Sequence, residues 1–145
     1  MKDLNYADAP YNWALCFQNE CPLHGTCLRY AVGQLMPANV THHETVLPTA
    51  RNAQGCCHYV ETKRVVMARG MTHLFDGLSR WEAEELRKRV KACFGSHMQY
   101  YRYRNGVYPI PPEMQARIVR IFNDFKAGLL PRFDSTTEAF YFPKP

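Results

Sequence analysis

Five of the chain's six cysteines fall within its first 57 residues. This crowding constrains the fold more than any other feature. The stretch CFQNECPLHGTC places Cys16, Cys21 and Cys27 within twelve residues, with His24 between the second and third thiol. The adjacent pair Cys56–Cys57 follows twenty-nine or thirty residues after Cys27. The same region carries Pro10, Pro22, Pro37 and Pro48 and no long periodic pattern, so it reads as irregular. One short helix is predicted over Cys27–Leu35, where Leu28, Ala31, Val32 and Leu35 recur at helical spacing. Gly33 weakens it and Pro37 stops it.

A chain of 145 residues with 46% hydrophobic content can bury a core without covalent staples. The cysteines therefore read as local reinforcement. A structural zinc wants four thiolate or imidazole ligands in a tetrahedron, commonly two local clusters joined by a longer loop. Here Cys16, Cys21 and Cys27 form the first cluster. Cys57 supplies the fourth ligand, with Cys56 as its alternative and His24 and His58 in reserve. The spacing Cys-x4-Cys-x5-Cys is neither a zinc-finger pair nor a ferredoxin run, and an iron–sulfur cluster accepts the same four thiolates. Disulfides are disfavoured if the compartment is reducing. Buried, inert thiols are the plain alternative, and Cys93, on the apolar face of a helix, fits that best.

Downstream, Cys57–Ala68 is predicted to form a β-hairpin, with Tyr59–Val60 and Val65–Met67 as strands around a polar turn at residues 61–64. From Ser79 the signals sharpen. Ser79 and Glu82 form an S-x-x-E capping box. Leu86, Val90, Cys93 and Phe94 follow at helical spacing, and Gly95 suits a left-handed helix end. Ser96-x-x-Gln99 opens a second helix through Arg104, closed by Asn105–Gly106. Pro112 sits at the favoured first position of a third helix. Its stripe of Met114, Ile118, Ile121, Phe122 and Phe125 stops at Gly128. The tail STTEAFYF reads as an edge strand or a docked extended arm.

The formal net charge is +5. Residues 80–126 hold ten of the eighteen Lys/Arg but only five of the thirteen Asp/Glu, so the positive excess lies there. A localised excess suits a polyanion, and equally a solvated helical face. Within it, FGSHMQYYRYRNG resembles part of the helix-turn-helix of phage-repressor-type regulators, whose second helix enters the major groove. That resemblance makes Ser96–Arg104 the recognition helix, with Gln99 and Arg102 toward bases and Lys88, Lys91 and Arg104 toward phosphates. The turn is one residue short, and Tyr100 and Tyr103 stand where small aliphatic residues belong. The tyrosines suit stacking on unpaired bases, or a plain core role.

Support for catalysis is slight. Cys57 and His58 point to opposite faces if they lie in a strand. His42-His43-Glu44 lacks metalloprotease spacing, and there is no P-loop, G-x-G-x-x-G or G-x-S-x-G. The N-terminal residues lack the apolar run of a secretory signal, and no stretch is apolar enough to span a bilayer, so a cytoplasmic protein is expected.

Several segments together resemble one family: CFQNECPLHGTCLR, GCCHYV leading into RVVMARGMTHLF, FGSHMQYYRYRNG, IPPEMQARIVRIF, and an FD near the aromatic tail. They are similar to an uncharacterised family of small bacterial Cys-rich proteins known only as a domain of unknown function. The resemblance spans most of the chain. It implies a bacterial origin and carries no activity and no functional residue.

The expected fold is α+β. A Cys-rich lobe with a small hairpin (residues 1–70) would pack on a helical, helix-turn-helix-like region with a C-terminal arm (residues 71–145), as one compact unit. The expected function is a zinc-stabilised, non-catalytic DNA- or RNA-binding regulator. The alternative is a protein–protein adaptor with structural cysteines.

Overall fold

The computed structural model describes residues 3–143. The chain is α+β, and its contacts divide it into two compact units. Unit 1 runs to Arg64 and resumes at Phe140, while unit 2 is the uninterrupted stretch Val65–Ala139.

Unit 1 has little regular structure, as its prolines dictate. It contains 3-10 turns at Tyr6–Asp8, His24–Thr26 and Pro48–Ala50, one short helix α1 (Leu28–Gly33), and a hairpin of two-residue strands, β1 (Arg51–Asn52) and β2 (Gly55–Cys56). The hairpin pairs Arg51 with Cys56 and Asn52 with Gly55, whose φ of +123° only glycine adopts readily. Single bridges tie the remaining segments. Leu15 faces Thr45 and Cys27 faces Glu61, and the Leu28 N–H donates to the Val60 carbonyl at 2.7 Å. The core is Trp13, Leu15, Leu28 and Val32, with Phe140 and Phe142 packed against it. The Trp13 and Phe142 rings meet edge-on at 5.0 Å. Gly33 lets α1 approach closely, because a Cβ there would press into the Cys16 carbonyl.

The hairpin expected at 57–68 does not form. Tyr59 and Val60 lie outside any strand, and Val60 serves Leu28 instead. The strand-forming run Arg64–Arg69 (β3) pairs with the tail, Ser135–Phe140 (β4), so the edge-strand reading of the tail holds. Asp134, just before β4, donates to Gly70, just after β3; Tyr141, just after β4, donates to Lys63, just before β3. The two strands therefore run antiparallel.

Unit 2 is built from three helices: α2 (Arg80–Lys91), α3 (His97–Arg104) and α4 (Pro112–Phe125). The Ser79–Glu82 capping box forms in both directions at the start of α2. At α3 only half of the expected box is seen, with the Ser96 hydroxyl accepting from the Gln99 N–H at 3.2 Å. Gly95 is not in the left-handed region. Helix α2 ends on Lys91 with Ala92 as its cap in right-handed geometry. The left-handed closure falls after α3 instead, at Gly106 with φ +78°. Pro112 occupies the first turn of α4, which packs on α2. Leu86, Val90, Tyr100, Ile110, Ile118 and Phe122 are among the ten buried residues of the core, and Cys93 packs against it half-buried.

The β3 end of unit 2 is locked by Asp134. Its carboxylate accepts from the Thr72 hydroxyl (2.6 Å), the Thr72 N–H (3.2 Å) and the His73 N–H (3.2 Å). Gly70, at φ +83°, lies so close that a Cβ would collide with this carboxylate.

Candidate functional site

Unit 1 gathers its thiols. Cys16, Cys21, Cys27 and Cys56 all line one narrow pocket with Arg29, His24, His58 and Gln18. They come from three stretches of chain. Cys16 is held by its N–H on the Arg29 carbonyl (3.2 Å). Cys21 and Cys27 flank the 3-10 turn, and Cys27 caps α1. Cys56 is the last residue of β2 and accepts the His58 N–H on its sulfur at 3.4 Å. Cys57, the fourth ligand chosen from the sequence, is exposed and does not line the pocket. Neighbouring residues point opposite ways, and the register of the β1–β2 hairpin turns Cys56 rather than Cys57 inward.

The pocket has room for about 20 Å³, the space of one water or one ion. All six cysteines are free thiols. Among the described residues no group of three or more His, Cys, Asp or Glu side chains stands in ligating geometry. His24 is turned away from such a role at one nitrogen, since its Nδ1 meets the Cys21 carbonyl at 2.6 Å while the ring packs on Tyr30.

Arg29 is the residue that sequence reasoning missed. It is buried, its guanidinium lies over the Trp13 ring (4.2 Å), and it donates to the Ala14 carbonyl (2.6 Å) and the His58 carbonyl (2.8 Å). No carboxylate pairs with it among the described residues. Its electrostatic neighbours are the thiols of Cys27, Cys56 and Cys16. Burial pulls its pKa below the ordinary value, and those three sulfurs oppose the shift. Arg29 shares the buried face of α1 with Leu28 and Val32, a placement that helical spacing alone does not assign to an arginine.

Unit 2 scatters the residues assigned to nucleic acid. Tyr100 is 1% exposed and packs in the core edge-on to Phe94, so its ring offers no platform for a base. Tyr103 is half-buried between Phe94 (5.0 Å) and Tyr108 (5.5 Å). Gln99 is half-buried, whereas Lys88 and Arg102 are exposed. Arg102 leans on Tyr108, and Lys91 and Arg104 both lie over Tyr101. Lys91 and Arg104 line a shared groove together with Arg87 and Tyr100.

No helix among the described residues is long and apolar enough to cross a membrane. Fold and pocket together define a small α+β protein with a thiol-lined cavity around a buried arginine. The chain belongs to DUF6078, a family of unknown function, whose sequence model matches residues 1–142. No curated protein and no solved structure shows significant similarity to it.

Proposed function

We propose that unit 1 is a module organised by one soft metal ion, with Cys16, Cys21, Cys27 and Cys56 as ligands, in a protein that binds rather than catalyses. The observation that carries this reading is the company Arg29 keeps. A buried guanidinium without a carboxylate is costly unless negative charge lies nearby. Four thiolates around a divalent ion leave two net negative charges, and Arg29 stands beside three of those sulfurs. The His58 N–H on the Cys56 sulfur serves the same end, since an N–H donor orients a thiolate. Zinc is the ion that four thiolates hold in closed structural sites.

Elemental analysis of the purified full chain tests this. One equivalent of zinc is expected in the parent protein and in Cys57→Ser, with loss in Cys56→Ser. Metal-free protein after growth with added zinc overturns the reading, as does equal loss from both variants. Visible absorbance with iron in place of zinc would shift the assignment to a cluster.

A second reading, in which unit 2 binds DNA or RNA, draws on the exposed cations Lys88 and Arg102, neither ion-paired among the described residues. Its mark is an oligonucleotide affinity that falls steeply with salt. That affinity should weaken in Arg102→Ala.

A further inference from the structure

Unit 2 contains a second concavity, far more open than the thiol pocket. It holds about 480 Å³ and is lined by residues of α2, α3 and the segment after β3. The size is that of a small-molecule site. Three of its lining side chains are cationic: Arg87 and Lys91, one turn apart on α2, and Arg104 on α3. The three acids of α2 are engaged elsewhere: Glu82 accepts from the Ser79 N–H, Glu84 meets Arg80 and Glu85 meets Arg89, the last two at 3.3 Å. The acid lining the groove, Asp76, is held by His73 Nδ1 at 2.8 Å.

Tyr100 supplies an independent observation. Its side chain is buried and lines the groove, yet its hydroxyl has no hydrogen-bond partner of good geometry. Arg87 and Arg104 are its charged neighbours. A phenol so placed remains protonated, because burial raises its pKa more than the two guanidiniums lower it. It is a donor without an acceptor, buried behind Arg87 and Arg104, while Lys91 lies over its ring at 5.2 Å. Met71, Phe75 and Ala83 add apolar lining beside the cations, and the Arg87 guanidinium lies over the Phe75 ring at 5.2 Å.

We infer that this groove binds a small phosphate monoester, its phosphate on Arg87, Lys91 and Arg104 with the Tyr100 hydroxyl behind them, its organic part against the neighbouring Met71 and Phe75 side chains. Phosphate oxygens accept from each of these donors, and the two guanidiniums present forks that match them. Arg87, absent from the residues that the sequence suggested, is central because it reaches the phosphate and Tyr100 together. The inference stands apart from the metal reading, since none of these residues lies in unit 1.

Titration calorimetry on the full chain, with inorganic phosphate and glycerol phosphate as probes, tests the assignment. Millimolar or tighter binding of both is expected, with glycerol phosphate the tighter. Arg87→Gln and Arg104→Gln should each weaken it about tenfold, and Tyr100→Phe several-fold. Arg89→Gln, whose partner Glu85 lies outside the groove, should leave it unchanged. Far-ultraviolet circular dichroism checks that each variant is folded. Absence of binding by either probe overturns the inference. So does equal loss in Arg89→Gln, which would reduce the effect to overall charge. Binding of a single-stranded oligonucleotide through Arg87, with no binding of glycerol phosphate, also overturns it and moves the groove to the nucleic-acid reading.

Discussion

In unit 2, ten buried residues form one apolar cluster, and each of its three helices contributes to it. In unit 1, four buried residues do the corresponding work, with one six-residue helix and a hairpin of two-residue strands. The first arrangement is what hydrophobic burial supplies to an amphipathic helical sequence. The second adds single backbone bridges and the carbonyl contacts of buried Arg29 to its small core. The contrast shows where a proposed ion would matter: the buried apolar cluster of unit 1 is the smaller of the two, so stabilisation by metal should be felt there and not in unit 2.

The sharpest way to break this contrast is to damage the larger core. Phe122 is 1% exposed and stacks near Phe75 with ring centroids 6.1 Å apart. Phe122→Ala should cost about 3–5 kcal/mol. Hydrogen exchange read by mass spectrometry should show lost protection across residues 80–125, with or without zinc. If added zinc restored that protection, the division of labour between the units would be wrong.

The next largest effect should lie in unit 1. Gly33→Ala places a methyl group against the Cys16 carbonyl and should cost about 1–3 kcal/mol through overpacking. Because Cys16 lines the thiol pocket, zinc content should fall with stability. A variant as stable as the parent in urea would show that α1 can move away freely, and would weaken the case for a rigid pocket.

The smallest effect tests electrostatics in unit 2. Burial alone would raise the Asp134 carboxyl's pKa, but the hydrogen bonds from Thr72 and His73, with the nearby His73 charge, hold it below the ordinary carboxylate range. A carboxylate with a depressed folded pKa stabilises in full above its unfolded pKa. That contribution fades as pH falls through the folded one. Thermal melts of the parent should therefore lose stability on acidification below the ordinary carboxylate range. Asp134→Asn should melt below the parent between pH 6 and pH 8 and converge with it on acidification, flattening that part of the profile. An unchanged acid limb in the variant would mean the Thr72–Asp134 contacts contribute nothing measurable.

What the sequence revealed follows the same divide. Helices α2 and α4 announce themselves through local chemistry, Ser79 with Glu82 and Pro112 with the Ile118–Phe122 stripe, and both formed near where that chemistry places them. The pairing of β3 with β4 joins residues 66 apart, as between Ser135 and Arg69, and no local pattern encodes such a partner. The choice between Cys56 and Cys57 hinged on one residue of hairpin register. That Cys16, Cys21 and Cys27 line one pocket was legible from their clustering, whereas the inward turn of Arg29 was not. Tyr100 read equally as a stacking platform or as core, because an aromatic residue in a basic helix satisfies either pattern until its neighbours are known.

The route of the chain has a temporal consequence. Trp13 leaves the ribosome well over a hundred residues ahead of Phe142, the ring it packs against. The stretch Val65–Ala139 is complete before that partner emerges, which reverses the usual order in which the earlier segment of a nascent chain folds first. For most of translation the Trp13 ring lacks its edge-on neighbour, so the last few residues made close a core whose other members were among the first.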